Sequence, residues 1–218
     1  MEKFTFRNAT IDDIPFLVQA IIEAEKSGTD KLSYSTIFGL SVEEVRKYLA
    51  NMLKEEVDDC ELSISSFLIA VCNDTVVAAL SAWIEGVDGI PSAVLKGNLL
   101  NYTLPKSCIE RAIKLNELIQ EIHMEYTPNT IQIGAGFVAE EFRGNKLLYM
   151  LNDELIARLI RKKPDVIGIC AQIFSCNIPS IKTYEKANFK LVMAKESHNK
   201  EILQYLPSNK KILMTKEL

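Results

Sequence analysis

Histidine is nearly absent from this 218-residue chain, which has only His123 and His198. That scarcity removes most His-ligated metal sites, which need several imidazoles at set spacings. Cysteine occurs five times, at 60, 72, 108, 170 and 176, but never as a CxxC pair. An odd count without such pairs excludes a disulfide framework and points to reduced, mostly buried thiols in a cytoplasmic protein. Aromatics make up 8% of the chain with a single Trp, and no dense block of Lys and Arg runs among them. A nucleic-acid-binding patch is therefore not expected. No apolar run reaches the roughly 20 residues of a membrane span. The opening MEKFTFRNAT also lacks the apolar stretch of a secretory signal.

What is present is 48% hydrophobic and 25% charged residues, the balance of an ordinary globular domain. The length suits one domain over 1–218, or a core of about 150 residues carrying an insertion. The net charge of −4 is uneven: residues 141–195 carry +5 and residues 196–218 carry +1, which leaves −10 for residues 1–140. Solvated helix faces account for such a split as well as a functional reading does. The functional reading places an anionic cofactor on the C-terminal half and a cationic substrate near the N-terminal half.

Element signals alternate along the chain. FTFRNAT has strand alternation. The next segment, 10–28, reads as a helix, with Thr10 and Asp13 as a capping box, Pro15 near the first turn and Gly28 as the stop. Ser41 with Glu44 opens another helix, whose apolar stripe is Val42, Val45, Leu49 and Met52. Two β-rich runs meet at Asn73-Asp74, a hairpin signal. Residues 86–129 are less regular and include a helix capped at Ser107-x-x-Glu110. TIQIGAGFVA is a strand interrupted by Gly134 and Gly136, which predicts a bulge or a close backbone approach. The helix after Arg143 ends in a basic turn before Pro164. VIGICAQIF is apolar enough for a strand covered on both faces. A short helix, NIPSIKTYEKANF, and two final strands follow. This order predicts an α/β fold with a central mixed sheet, helices on both faces and a helical insertion at 86–129 between the third and fourth strands.

Two segments carry chemistry. Val138-Ala-Glu-Glu-Phe-Arg143-Gly144-Asn145-Lys146-Leu147-Leu148 leads a glycine-broken strand into a helix, and Asn177-Ile-Pro-Ser180-Ile-Lys-Thr-Tyr184-Glu-Lys186-Ala-Asn188-Phe189 forms a second, short helix. Asn177, Ser180 and Tyr184 share one face of it, by their spacing of about one turn. In this order the segments resemble the GCN5-related N-acetyltransferases (GNAT superfamily). Those enzymes carry Val-x-Pro-Glu-Tyr-Arg-Gly with a glycine-rich turn, and later Asn-x-x-Ala-x-x-x-Tyr-x-Lys-x-Gly-Phe. Asn188 stands where the family has glycine, at a position that favours a left-handed backbone.

The resemblance implies direct transfer of an acetyl group from acetyl-CoA, used as co-substrate without a metal, to a primary amine of a small molecule or peptide. It implies a fourth and fifth strand that splay apart, with the pantetheine arm paired along Gly136, Phe137 and Val138. The pyrophosphate would rest on the amides of Arg143, Gly144, Asn145, Lys146, Leu147 and Leu148 at a helix N-terminus. Asn177 and Ser180 would touch the arm, and Tyr184 would protonate or stabilise the departing thiolate. Lys146 and Leu148 replace family glycines. Lys146 is expected to cost little backbone strain on the view that the helix has already begun, whereas Leu148 could crowd the cofactor.

Other readings remain beside this one. Cys176, next to a helix N-terminus, could have a lowered pKa and act as a nucleophile. The general base could be Glu85, Glu23, Glu25 or a water relay. The same fold could serve as a non-catalytic acyl-CoA-binding regulator. The 86–129 insertion could instead carry an interaction, including a homodimer contact.

Overall fold

The computed structural model describes residues 3–218. Seven strands form one open sheet: β1 (Phe4–Asn8), β2 (Phe67–Cys72), β3 (Thr75–Ile84), β4 (Ile131–Val138), β5 (Ile169–Phe174), β6 (Lys190–Glu196) and β7 (Lys210–Lys216). Their spatial order is β1-β2-β3-β4-β5-β7-β6. All neighbours are antiparallel except β4 and β5. The helices are α1 (Ile14–Lys26), α2 (Ser33–Phe38), α3 (Val42–Lys54), α4 (Ser92–Thr103), α5 (Lys106–Lys114), α6 (Asn116–Gln120), α7 (Leu147–Lys162) and α8 (Ile178–Lys186).

Strand alternation divides the interior into two cores, one on each face of the sheet. Leu68, Ala70, Leu80 and Ala82 face α7, where they meet Leu147, Leu151 and Leu155. Phe67, Ile69 and Ala79 face α1 and α3, where they meet Leu17, Ile21 and Leu49. On β4 this regularity breaks. Ile131 and Ile133 belong to the α7 side, while Ala135 and Phe137, two and four residues on, pack on the α1 side. The cause is a bulge: Leu80 pairs with Gly136 and Ala82 with Ile133, so Gly134 and Ala135 together oppose Ser81. The extra residue reverses the side-chain phase. Phe137 then lies 5.7 Å from the Phe16 ring of α1.

The hairpin expectation and the Thr10–Asp13 and Ser41–Glu44 capping expectations hold. Asn73 and Asp74 both have positive φ, as a tight two-residue turn requires. Asp13 is buried, accepts from the Thr10 N–H at 2.7 Å and takes both Arg7 guanidinium nitrogens at 2.7 and 2.9 Å. Burial alone would raise the Asp13 pKa, but Arg7 and Thr10 outweigh it and hold it below its ordinary value. Ser41 and Glu44 close the box at α3. Val42 is exposed, however, and Leu53 takes its place in the buried stripe.

Two expectations need correction. Helix α2 was not read from the sequence, and α5 begins at Lys106 behind Pro105, so Ser107 caps nothing. The excursion between β3 and β4 does carry helices, three short ones. Glu85 fastens it at both ends. Its carboxylate accepts from the N–H and hydroxyl of Ser92 at the start of α4, and its backbone pairs with Asn129 and Thr130.

Candidate active site

Strands β4 and β5 pair only over Ile131–Ile133 and Ile169–Ala171, and beyond that they separate. From Gly134 to Val138, β4 is bonded to β3 alone, so its β5-facing edge has free backbone groups. A cleft of about 340 Å³ opens in this gap. Gly136, Leu148 and Asn152 line one side of it, and Ala171, Asn177 and Tyr184 another.

The two β4 glycines are needed for different reasons. A Cβ at Gly134 would lie 2.4 Å from the Ser81 Oγ and 2.9 Å from Trp83, inside any permitted contact. The bulge therefore closes only on glycine here, and the freed Ala135 N–H donates to Ser81 Oγ at 2.8 Å. A Cβ at Gly136 would meet Leu80 at 3.1 Å and Leu148 at 3.4 Å. Gly136 thus forms the cleft wall against which the Leu148 side chain rests.

Arg143, Gly144, Asn145 and Lys146 form an exposed turn leading into α7. None of these four, nor Leu147, Phe137 or Val138, lines the enclosed cleft. Leu147 is buried in the α7 core. The Asn145 side chain donates to the Phe142 carbonyl at 3.0 Å, which staples the turn. Among the described residues, the N–H groups of Gly144, Asn145 and Lys146 meet no backbone acceptor. The first-turn amides of α7 are unpaired by helix geometry. The expected absence of strain at Lys146 is wrong. Lys146 is the N-cap, with φ 57° and ψ 24°, outside the helix proper. A left-handed side-chain-bearing residue costs about 1 kcal/mol, so Lys146→Gly should stabilise the fold by about that amount. Its melting temperature should rise by about 2–4 °C in a thermal melt, and an unchanged or lower value would count against the strain.

Helix α8 meets the sequence expectation closely. Asn177 Oδ1 accepts from the Ser180 N–H at 3.2 Å, so Asn177 caps the helix and leaves its amide NH₂ free. Asn188 has φ 65°, the left-handed conformation expected where glycine would stand. The Tyr184 ring meets Phe189 edge-on at 5.0 Å and lines the cleft. Burial alone pushes its phenol well above the ordinary value, so it is a protonated donor. Cys176 does not have the lowered pKa considered for it. Burial raises it, and its S–H donates to the Ser27 carbonyl.

The far end of the cleft gathers residues that the sequence gave no reason to group. Glu61 forms an ion pair with Lys96 and accepts from the Tyr126 hydroxyl at 3.4 Å. Lys211 stands 5.1 Å above the Phe174 ring. Glu25, in the last turn of α1, also lines the cleft, and burial raises its pKa from its ordinary value. Of the candidate bases, Glu85 is locked between Trp83 Nε1, at 3.1 Å, and Ser92. Glu23 pairs with Lys26 at 2.9 Å and does not line the cleft. Asn152 was also missed. Among the described residues its Oδ1, buried on the cleft wall, has no partner, and its place four residues after Leu148, on the apolar stripe, was a usable signal.

No protein-family model matches the chain, and no curated protein sequence does. Solved structures do. An N-acetyltransferase from Staphylococcus aureus Mu50 superposes with a TM-score of 0.65 at 11% identity, over 97% of this chain and all of that one. A ribosomal-protein-alanine N-acetyltransferase from Brucella melitensis gives 0.53 at 16% identity, covering 98% and 99%. A variant of an agmatine N-acetyltransferase gives 0.57 at 12% identity, covering 99% of each chain. The chain has the GCN5-related N-acetyltransferase fold. Within this fold Gly136 of β4, Leu148 of α7 and Asn177, Ser180 and Tyr184 of the α8 segment line one cleft, while the 143–146 turn lies outside its lining.

Proposed function

We propose that the protein is an acetyl-CoA-dependent N-acetyltransferase, a single domain over 1–218, acting on a primary amine of a small molecule or peptide. The observation that carries this reading is the splayed β4–β5 gap with a protonated, desolvated Tyr184 on its wall. The residues fit an acyl-CoA. On the β5-facing edge, Gly136 and Val138 offer backbone groups to a pantetheine arm while Phe137 between them pairs with β3, and Gly136 leaves the arm room. The open amides of the 143–148 turn, at a helix N-terminus, suit a pyrophosphate. Asn177 and Ser180 line the cleft and would lie beside the arm. The free cysteines suit the reducing cytoplasm.

When bound, acetyl-CoA supplies an activated acetyl group: the acceptor nitrogen bonds to its carbonyl carbon, the C–S bond breaks, and coenzyme A departs as a thiol. Glu25 is a cleft-wall carboxylate with no ion pair among the described residues, and burial raises its pKa, which suits it to take the proton from the amine. The Tyr184 hydroxyl gives a proton to the sulfur and is reprotonated from solvent.

Titration calorimetry with acetyl-CoA, followed by thiol release over an amine panel, tests this reading. Binding with amine-dependent release supports it. Binding without release from any amine moves the protein to an acyl-CoA-binding regulator, and no binding removes both readings. Leu148→Ala refines the test, because the leucine branch rests where the arm would enter. Its coenzyme A affinity should hold or rise, while stability falls by about 2 kcal/mol, the low end for a partly buried leucine. A large affinity loss in the folded variant would mean that Leu148 itself holds the cofactor.

A further inference from the structure

Four charged side chains line the far end of the cleft: Glu25, Glu61, Lys96 and Lys211. Glu61 and Lys96 satisfy each other as an ion pair. Glu25 and Lys211 are left over. Among the described residues neither has an ion-pair partner within 4 Å, yet each lies in the other's field. We infer that this end of the cleft is built for an amine that also bears a carboxylate, a free amino acid whose nitrogen faces Glu25 and whose carboxylate is held by Lys211.

The inference rests on the acetyltransferase reading and narrows its acceptor. A polyamine would set a second ammonium against Lys96 and Lys211, and a dicarboxylate would meet Glu25 and Glu61. A zwitterion places one charge opposite each unpaired group. Lys211 is fixed for this role: on β7 it is the direct register partner of Phe174, the last residue of β5, and its ammonium stands over that ring. Burial pushes its pKa down, Glu25 opposes that shift, and the nearby Lys96 adds to it; among the described residues no carboxylate comes within 4 Å of its ammonium, so a bound carboxylate would supply the missing counter-charge. The cleft of about 340 Å³ must also admit the acyl arm, which leaves room for a molecule the size of one residue rather than a peptide. The local charge is balanced although residues 1–140 are acidic overall, so the acidic excess lies outside the acceptor end.

The test uses the full chain with acetyl-CoA and compares glycine, alanine, methionine and phenylalanine with their amides, and with a simple diamine, by thiol release. The acids should exceed their amides in kcat/KM by about 30-fold or more, the effect of a buried charge pair. In Lys211→Met that ratio should collapse towards one through a rise in KM for the acids, and Lys211→Arg should restore part of it. Should Lys211→Met fail to fold by thermal melt, Lys211→Gln replaces it, and the wild-type ratio stands without any variant. Preference for an amide or the diamine, or no use of amino acids by a protein that binds acetyl-CoA, overturns the acceptor assignment alone. Equal loss on acids and amides in Lys211→Met overturns the carboxylate role. Failure of the wild type to bind acetyl-CoA in calorimetry overturns the acetyltransferase reading and this one with it.

Discussion

Tyr184→Phe should lower kcat by about 10²–10⁴-fold, the usual worth of a positioned general acid, with acetyl-CoA affinity held. The change removes one oxygen and leaves the ring, so the edge-on contact with Phe189 and the packing of α8 against the core persist. Burial keeps the wild-type phenol protonated well past its ordinary value of about 10. The wild-type kcat should therefore show no alkaline fall from this group across the neutral and mildly alkaline range. Single-turnover rates, in which chemistry limits, give the cleanest comparison, because slow product release would hide the loss. An unchanged single-turnover rate in Tyr184→Phe would take the residue out of the reaction.

The second large effect is structural. Glu85→Ala should cost about 3–5 kcal/mol, because three buried donors lose their acceptor at once. These are the Trp83 indole N–H, the Ser92 N–H and the Ser92 hydroxyl, and the carboxylate that collects them is only 2% exposed. For a chain of this size the melting temperature should fall by about 10 °C or more. Glu85→Gln keeps the shape and one acceptor but turns a donor towards donors, so its loss should be smaller. A normal melt combined with a lost acid–base limb in the pH–rate profile would reverse the assignment and return Glu85 to the chemistry.

Much of this was legible wherever a local rule governs the backbone. The Asn73-Asp74 turn, the Thr10–Asp13 and Ser41–Glu44 boxes and the left-handed Asn188 each follow from residues within a few positions. Helix α2 was missed because SYSTIF is short and rich in Ser and Thr, with no apolar period to announce it. Lys146 was misjudged for want of a boundary: one residue decides whether the position is inside a helix or is its left-handed cap. The bulge at Gly134 was anticipated, but the reversal of facing it causes was not, since Ile131, Ile133, Ala135 and Phe137 read as one unbroken alternation. The acceptor end was hidden for a different reason. Glu25, Glu61, Lys96, Tyr126 and Lys211 come from separate elements along the chain, and only the closed fold brings them together.

The excursion between β3 and β4 leaves and re-enters the sheet at Glu85, where Ser92, Asn129 and Thr130 all attach. Topologically it is a very long hairpin loop with a closed neck. Loop-closure entropy grows only with the logarithm of length, so on that count alone replacing roughly 45 residues by a four-residue turn would gain only about 2 kcal/mol, against the lost burial of Leu99 and Leu104 in the core. Such a graft would also delete Lys96 and Tyr126, hence the partner and the capping hydroxyl of Glu61, while leaving β4, α7 and α8 in place. The excursion is in this sense a cassette. Exchanging it would change the Glu61 end of the acceptor wall at one neck, while Glu25, Lys211 and the acyl-donor half stay where they are.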